Sequence, residues 1–392
     1  MTFDTQTIHA ATVAATLSVA ALATLLGWQQ RRIDPSRTFL TAFFAVFVIS
    51  EIDSVFSVLI ETAPQVVRAG SELAGFAANF WLGPLFFAYV RSIAGLTPKT
   101  GGETGNWLHF LLPGVATVFA IGAFLYLDVA QITWNERGTS GLAAFFLTFL
   151  HYGFMFLSIA LAVQWAVYVA WVLLTQARHV DRLKQVYAST EGLELRWVSI
   201  LACALGIYVL QHLIGQIMIL QGGQDFVGPL FDSVLVLVVV FSLALWSLRP
   251  SPDLDSATRT LAKIDIPKDR KYEKSALDPA QAERIARKLV RAMDQDRLYR
   301  DPNLTLSMLA QHVGVSLNHV SQTLNQNLGQ SFFEFINSWR IKEAMPLVEK
   351  GETTVLAIAY EVGFNSRSAF YSAFKRETGQ TPTAYKSARA GN

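Results

Sequence analysis

Apolar residues are distributed along this chain in two different ways, with the change falling between about residues 249 and 277. Before it, seven long apolar runs are legible, at about 8–29, 38–60, 73–94, 107–127, 142–174, 197–220 and 228–248. Each is near or above the roughly 20 residues that a helix needs to cross a bilayer. The run at 142–174 exceeds one span, which fits either a tilted helix that projects beyond the bilayer or a break near Gly153. After it, apolar residues recur at spacings of three and four, the signature of amphipathic helices around a water-soluble core. The pattern predicts an all-α chain: a seven-helix transmembrane bundle over 1–248, a cytoplasmic linker over 249–277 and a soluble all-α domain over 278–392.

Composition agrees with the apolar half: 52% of residues are hydrophobic, only 16% are charged and the mean hydropathy is +0.33, unlike a soluble protein of this length. Arg31, Arg32, Arg37, Arg91, Lys99, Arg178, Arg182, Lys184 and Arg196 flank one side of the runs, and only Arg68 and Arg137 the other. The positive-inside rule then puts the amino terminus outside and everything after Arg249 in the cytoplasm. The first run follows Asp4 and no basic residue, so it reads as a permanent helix rather than a cleavable signal. Cys203 is the single cysteine, which excludes an intrachain disulfide. The linker, rich in Pro, Ser, Asp and Lys, has a reach of about 30 Å as a flexible tether.

The soluble part carries a pattern that occurs twice. In the second copy, Thr354 caps a helix that buries Ile358, Ala359 and Val362, and Gly363 makes the turn. Ser366 then caps a helix with Ala369, Phe370, Ala373 and Phe374 inside, ended by Gly379, Thr381 and Pro382 and anchored by Tyr385. Upstream, Thr305, Leu309, Ala310, Val313 and Gly314 repeat the first helix and turn, and Ser316, Val320 and Leu324 the second. A capping box of Ser331 and Glu334 opens a long helix between the copies, with Pro346 predicted to kink or loosen it. Asp278, Pro279 and Gln281 open the domain with a helix through about Met293, whose basic face (Arg284, Arg287, Lys288, Arg291) suits phosphates, lipid headgroups or plain solvent.

Over residues 277 to 388 the chain resembles the AraC/XylS family of bacterial transcriptional regulators, at Gly363, Phe364, Ser366, Phe370, Phe374, Lys375, Gly379, Thr381, Pro382 and Tyr385. The resemblance implies a reading helix in each of two successive major grooves of double-stranded DNA. By position, the implied base-facing residues are Asn318, Ser321 and Gln322 in the first helix and Arg367, Ser368, Tyr371 and Ser372 in the second, with Lys375 and Arg376 on phosphates. It also implies a bacterial inner membrane for the apolar half. Two departures stand out: no Lys or Arg occurs from Asp301 to Trp339, and Pro346 interrupts the connecting helix. From Lys274 to Asn392 there are 15 Lys and Arg against 11 Asp and Glu, a net of +4. So weak a field predicts weak binding by one copy, and a homodimer on DNA.

Ionisable and polar residues inside the apolar runs are costly unless paired or hydrated. Glu51, Asp53, Asn79, His212, Gln216 and Asp232 all fall toward the outward side, and His151 near the middle of its run. Together they define either a ligand pocket for an extracytoplasmic or membrane signal or an internal network that joins helices. A transporter, or an intramembrane metal-dependent hydrolase, with a DNA-binding tail is the alternative reading. No close ligand pair favours the hydrolase, and no run contains the lysine that a retinal Schiff base needs. With no glycine-rich phosphate loop or nucleophile triad either, the chain reads as a membrane-bound one-component regulator without enzymatic activity, cofactor or bound metal.

Overall fold

The computed structural model describes residues 5–30, 37–54, 64–94, 106–130, 142–191, 193–220, 229–247 and 277–390. These residues are helical, apart from turns and one isolated antiparallel bridge between Tyr187 and Thr305. Two compact units are present: Met1–Thr175 with Arg196–Ser251, and Gln176–Leu195 with Pro252–Asn392. The expected linker up to Ala276 lies outside the described residues, as do Arg31, Arg32, Lys99 and Arg137 of the charge argument.

Helices fall on the seven apolar runs: α1 (Thr5–Gln30), α2 (Arg37–Ser50), α3 (Gln65–Ile93), α4 (Leu111–Ala130), α5 (Leu142–Val186, of which the part from Gln176 belongs to the second unit), α6 (Arg196–Leu220) and α7 (Pro229–Ser247). Among the described residues four segments are long and apolar enough to cross a membrane: Thr7–Gln30, Gln65–Ile93, Leu108–Tyr126 and Ala144–Val186. Arg196–Gln211 and Leu230–Trp246 are shorter apolar segments, and residues 55–63 of the second run lie outside the description. α5 continues without a break through Gly153, so the break expected there as one of the two readings is absent. Gly153 is instead a point of close approach, since a Cβ there would lie 2.5 Å from the Phe119 ring on α4.

α2 packs between α1 and α3, α4 covers α3 and α7 lies against α1. Phe44, Phe80, Ala116 and Ala123 are buried in that packing. The opposite faces stay apolar, with Leu22, Val118, Phe156, Ile200 and Ile207 all exposed. Many hydroxyls on these helices are used locally: Thr12, Thr16 and Thr117 donate to carbonyls one turn back at 2.7 to 2.8 Å. Such bonds leave little polar surface on the outside of the helices.

The second unit is built from α8 (Pro279–Asp294), α9 (Leu306–Val313), α10 (Leu317–Gln322), α11 (Phe332–Lys350), α12 (Val355–Glu361), α13 (Arg367–Thr378) and α14 (Pro382–Ala390). The caps fall where the sequence puts them. Thr305, Ser316, Thr354 and Ser366 accept from backbone N–H groups three residues on at 3.2 to 3.3 Å, and Ser331 and Glu334 form the reciprocal box. One core gathers Leu289, Leu304, Leu309, Val320 and Phe335 with Val186 at the end of α5 and Ala188 just beyond it. A second gathers Ile341, Val348, Ile358, Phe364, Phe370 and Phe374. α11 contributes to both and runs on through Pro346, so the proline removes one backbone donor without ending the helix.

Candidate functional site

Each turn-forming glycine places a second helix against a first. Gly314 (φ 64°) ends α9 and Gly363 (φ 98°) follows α12, both in the left-handed region. The two differ in surroundings. A Cβ on Gly314 would meet nothing within 4 Å, whereas one on Gly363 would lie 2.7 Å from the carbonyl oxygens of Tyr299 and Arg300. The second turn is thus pressed against backbone that belongs to the first core.

α13 buries Phe370, Ala373 and Phe374 and presents Arg367, Ser368, Ser372, Lys375 and Arg376 to solvent, with Tyr371 half-buried. Arg367 is held before any partner arrives: its guanidinium lies 4.9 Å from the Tyr371 ring centroid and Nη2 donates to the Tyr371 hydroxyl at 3.1 Å. Hydrogen bonds with Thr383 and then with Arg367 hold the Tyr371 phenol below its ordinary pKa. Arg376 is partly engaged, its guanidinium lying 5.7 Å from the Phe333 ring centroid and 3.4 Å from the Glu377 carboxylate.

The first module is different. α10 ends after six residues and continues as a π-helical turn, Thr323–Asn327. Asn318 is exposed and Ser321 half-buried, but Gln322 is only 8% exposed and donates to Gln326 Oε1 at 3.0 Å. Gln322 therefore departs from its expected base-facing place. The wider turn that follows carries it inward beside Val320, Thr323 and Leu324. Asn325, exposed on that turn and bonded to the Ser321 carbonyl at 2.9 Å, is a polar group that spacing alone did not single out. The basic residues of α8, Arg284, Arg287, Lys288 and Arg291, are exposed, with Lys288 donating to the Val313 carbonyl at 3.1 Å.

Between the modules lies Arg340, fully buried on α11. Its Nε donates to the Tyr299 carbonyl at 2.7 Å, Nη2 to the Asp301 carbonyl at 2.8 Å, and Nη1 to Asn337 Oδ1 at 3.2 Å and the Ala188 carbonyl at 3.3 Å. The Phe364 ring centroid of the second module is 5.3 Å from its guanidinium carbon. Burial pulls its pKa down to about 10, so the group remains charged at neutral pH. One cation thus ties together the first core, the second turn and the segment after α5.

In the apolar unit, Glu51 and Asn79 line one cavity with Trp165 and Tyr208. Ser54 Oγ donates to Glu51 Oε2 at 3.1 Å, and Asn79 Nδ2 donates to the Gly75 carbonyl at 2.9 Å. Asp232 accepts from Gln211, and Asp53 is half-buried. His151 is not gathered with them: it is exposed and edge-on to Tyr152, because a helix apolar on every side gives no sequence signal of which face turns inward. His212 and Gln216 lie on α6, their side chains outside the described residues. The cavity holds about 60 Å³, room for about two waters and well short of the 300 Å³ or more of ordinary ligand pockets. Among the described residues no three His, Cys, Asp or Glu side chains come together as a metal-ligating group.

This pair of capped modules around a shared helix defines a class: a double helix-turn-helix domain. A helix-turn-helix domain family matches residues 309–388. An uncharacterized HTH-type transcriptional regulator of Staphylococcus aureus strain COL is 34% identical over 102 residues, 26% of this chain and 14% of that protein. A Streptomyces lividans protein named as an AraC-like transcription regulator is 35% identical over 91 residues, 23% of this chain and 30% of that one. The chain therefore covers less than a third of the length of these relatives. Among solved structures, the C-terminal domain of AraT, a response regulator from Geobacillus stearothermophilus, aligns with 28% identity and a TM-score of 0.24, covering 29% of this chain and 89% of that one. The carboxyl-terminal part of the chain carries a helix-turn-helix domain of the AraC type.

Proposed function

We propose that the protein is a membrane-bound transcriptional regulator that reads promoter DNA through its two helix-turn-helix modules and takes its signal through the apolar unit. The observation that carries the DNA reading is α13. It presents a pre-oriented Arg367 beside Ser368, Tyr371 and Ser372, with Lys375 and Arg376 at its far end. Arginine suits guanine, which it can meet bidentately, whereas Asn318 of the first module suits adenine. Phosphate contacts from Lys375, Arg376 and the basic face of α8 add affinity without sequence preference. The first module offers no cation of its own from Asp301 to Trp339, so two chains on adjacent half-sites supply the remaining affinity through effective concentration.

Membrane insertion is supported by the apolar faces that α1, α4, α5, α6 and α7 turn outward, through Leu22, Val118, Phe156, Ile200, Val238 and others. A contiguous apolar exterior of this kind is suited to lipid. In our reading the amino terminus is outside, the helix-turn-helix domain is cytoplasmic, and the cluster around Glu51, Asn79 and Asp232 is where an outside signal alters helix packing. Incorporation of the full-length chain into lipid nanodiscs, followed by retention of a random duplex library at low salt, tests both parts. Retention that weakens for all sequences alike in Lys375→Ala or Arg376→Ala is expected. Nanodiscs that hold the chain and retain no duplex contradict the reading.

A further inference from the structure

Residues Gln176–Leu195, the end of α5 and the segment that joins it to α6, fold with the helix-turn-helix domain. Val186 and Ala188, each 1% exposed, are part of its first core. Tyr187 pairs with Thr305, the cap of α9, and the Ala188 N–H donates to the Leu304 carbonyl at 3.1 Å. From this anchorage the end of α5 and the loop after it reach the turn that extends α10 and the cap of α13. Gln185 Oε1 accepts from Asn325 Nδ2 at 3.1 Å on the turn that extends α10. The Glu191 carboxylate accepts from the hydroxyl of Ser366, the cap of α13.

We propose that this loop is an autoinhibitory clamp, with Glu191 as its working group, and that DNA engagement requires Glu191 to leave Ser366. The inference rests on the DNA reading above. Free N–H groups and the helix dipole make the start of a helix favourable for an anion, and in a complex with DNA the anion that arrives there is a phosphate. Glu191 places a carboxylate at that end, one residue before Arg367. A phosphate must displace it or suffer its repulsion, and at contact distance in water that repulsion is worth roughly a fivefold loss of affinity. The clamp is also linked to the apolar half by covalent structure. α5 is one unbroken helix from Leu142 to Val186 and leads from the apolar part to the residue that enters the core.

Binding of a fluorescent random-sequence duplex of about 30 base pairs by the full-length chain in lipid nanodiscs at low salt tests the clamp. Glu191→Gln, which keeps the shape and removes the charge, is expected to tighten binding about fivefold. Asp294→Asn, which removes the same charge from an exposed position at the end of α8, is expected to change it less than twofold. Equal effects of the two substitutions, or unchanged or weaker binding by Glu191→Gln while the parent binds, overturn the clamp and leave the DNA reading standing. If parent and both variants all fail to bind, the DNA reading falls and the clamp falls with it.

Discussion

The two helix-turn-helix modules share one sequence pattern and are built to different tolerances. In the second, the turn glycine is pressed against the carbonyls of Tyr299 and Arg300, and the reading helix is a full 12 residues with an arginine already stacked on Tyr371. In the first, the turn glycine faces open space and the reading helix loosens into a π turn after six residues. It offers amides and hydroxyls in place of cations. Similar caps and turns therefore do not make equal surfaces: the second module presents cations on its second helix, whereas the first presents amides and hydroxyls.

Arg340 bonds to groups on both sides of the shared helix, and its removal should have the largest effect. Arg340→Met leaves the carbonyls of Tyr299 and Ala188 without their donor and that of Asp301 with the Leu304 N–H alone, and losing several buried partners at once costs about 3 kcal/mol or more. Hydrogen exchange on the full-length chain should show that loss in α9 and α12 alike. Protection lost in one module only, or by less than about 1 kcal/mol, would mean that the modules are stable independently.

The turn glycines separate the modules more finely. Gly363→Ala incurs both the left-handed backbone cost and a collision with main chain that cannot yield, for about 3 kcal/mol in all. Gly314→Ala incurs only the backbone cost, about 1 kcal/mol. Equal losses of exchange protection in the two variants would remove the claimed difference in tolerance.

A smaller effect is expected from pH at the start of the shared helix. The backbone N–H of Ser331 holds the Glu334 carboxyl below its ordinary range. Because the folded pKa lies below the unfolded one, the stabilisation is full above the unfolded value of about 4.3 and is lost as pH falls through the folded value. The difference in α11 protection between parent and Glu334→Ala, corrected for intrinsic exchange, should therefore be present at pH 7 and shrink steadily below about pH 4. A difference that grows on acidification would refute this role for the box.

How much of this was legible in the sequence depends on whether local pattern or long-range packing decides. The apolar runs coincide with helices, and the caps at Thr305, Ser316, Ser331, Thr354 and Ser366 hold because a cap is a contact between residues three apart. The inward turn of Gln322 depends on a π turn that spacing rules do not anticipate. The place of Val186 and Ala188 in the helix-turn-helix core was also not legible. They sit at the end of a helix among charged residues, and their partners lie far along the chain. Among the polar residues of the apolar half, a helix apolar all round conceals which side faces inward, hence the exposed His151.

The central claim, that a membrane-inserted chain reads base sequence mainly through α13, is tested most directly by crosslinking the full-length protein to DNA in cells and sequencing what is recovered. The account predicts a shared motif with two half-sites about one helical turn apart. Arg367→Ala should relax one base position in it, by roughly 1 to 3 kcal/mol of lost discrimination. Recovered fragments with no shared motif, or a motif that is unchanged in Arg367→Ala, would contradict it.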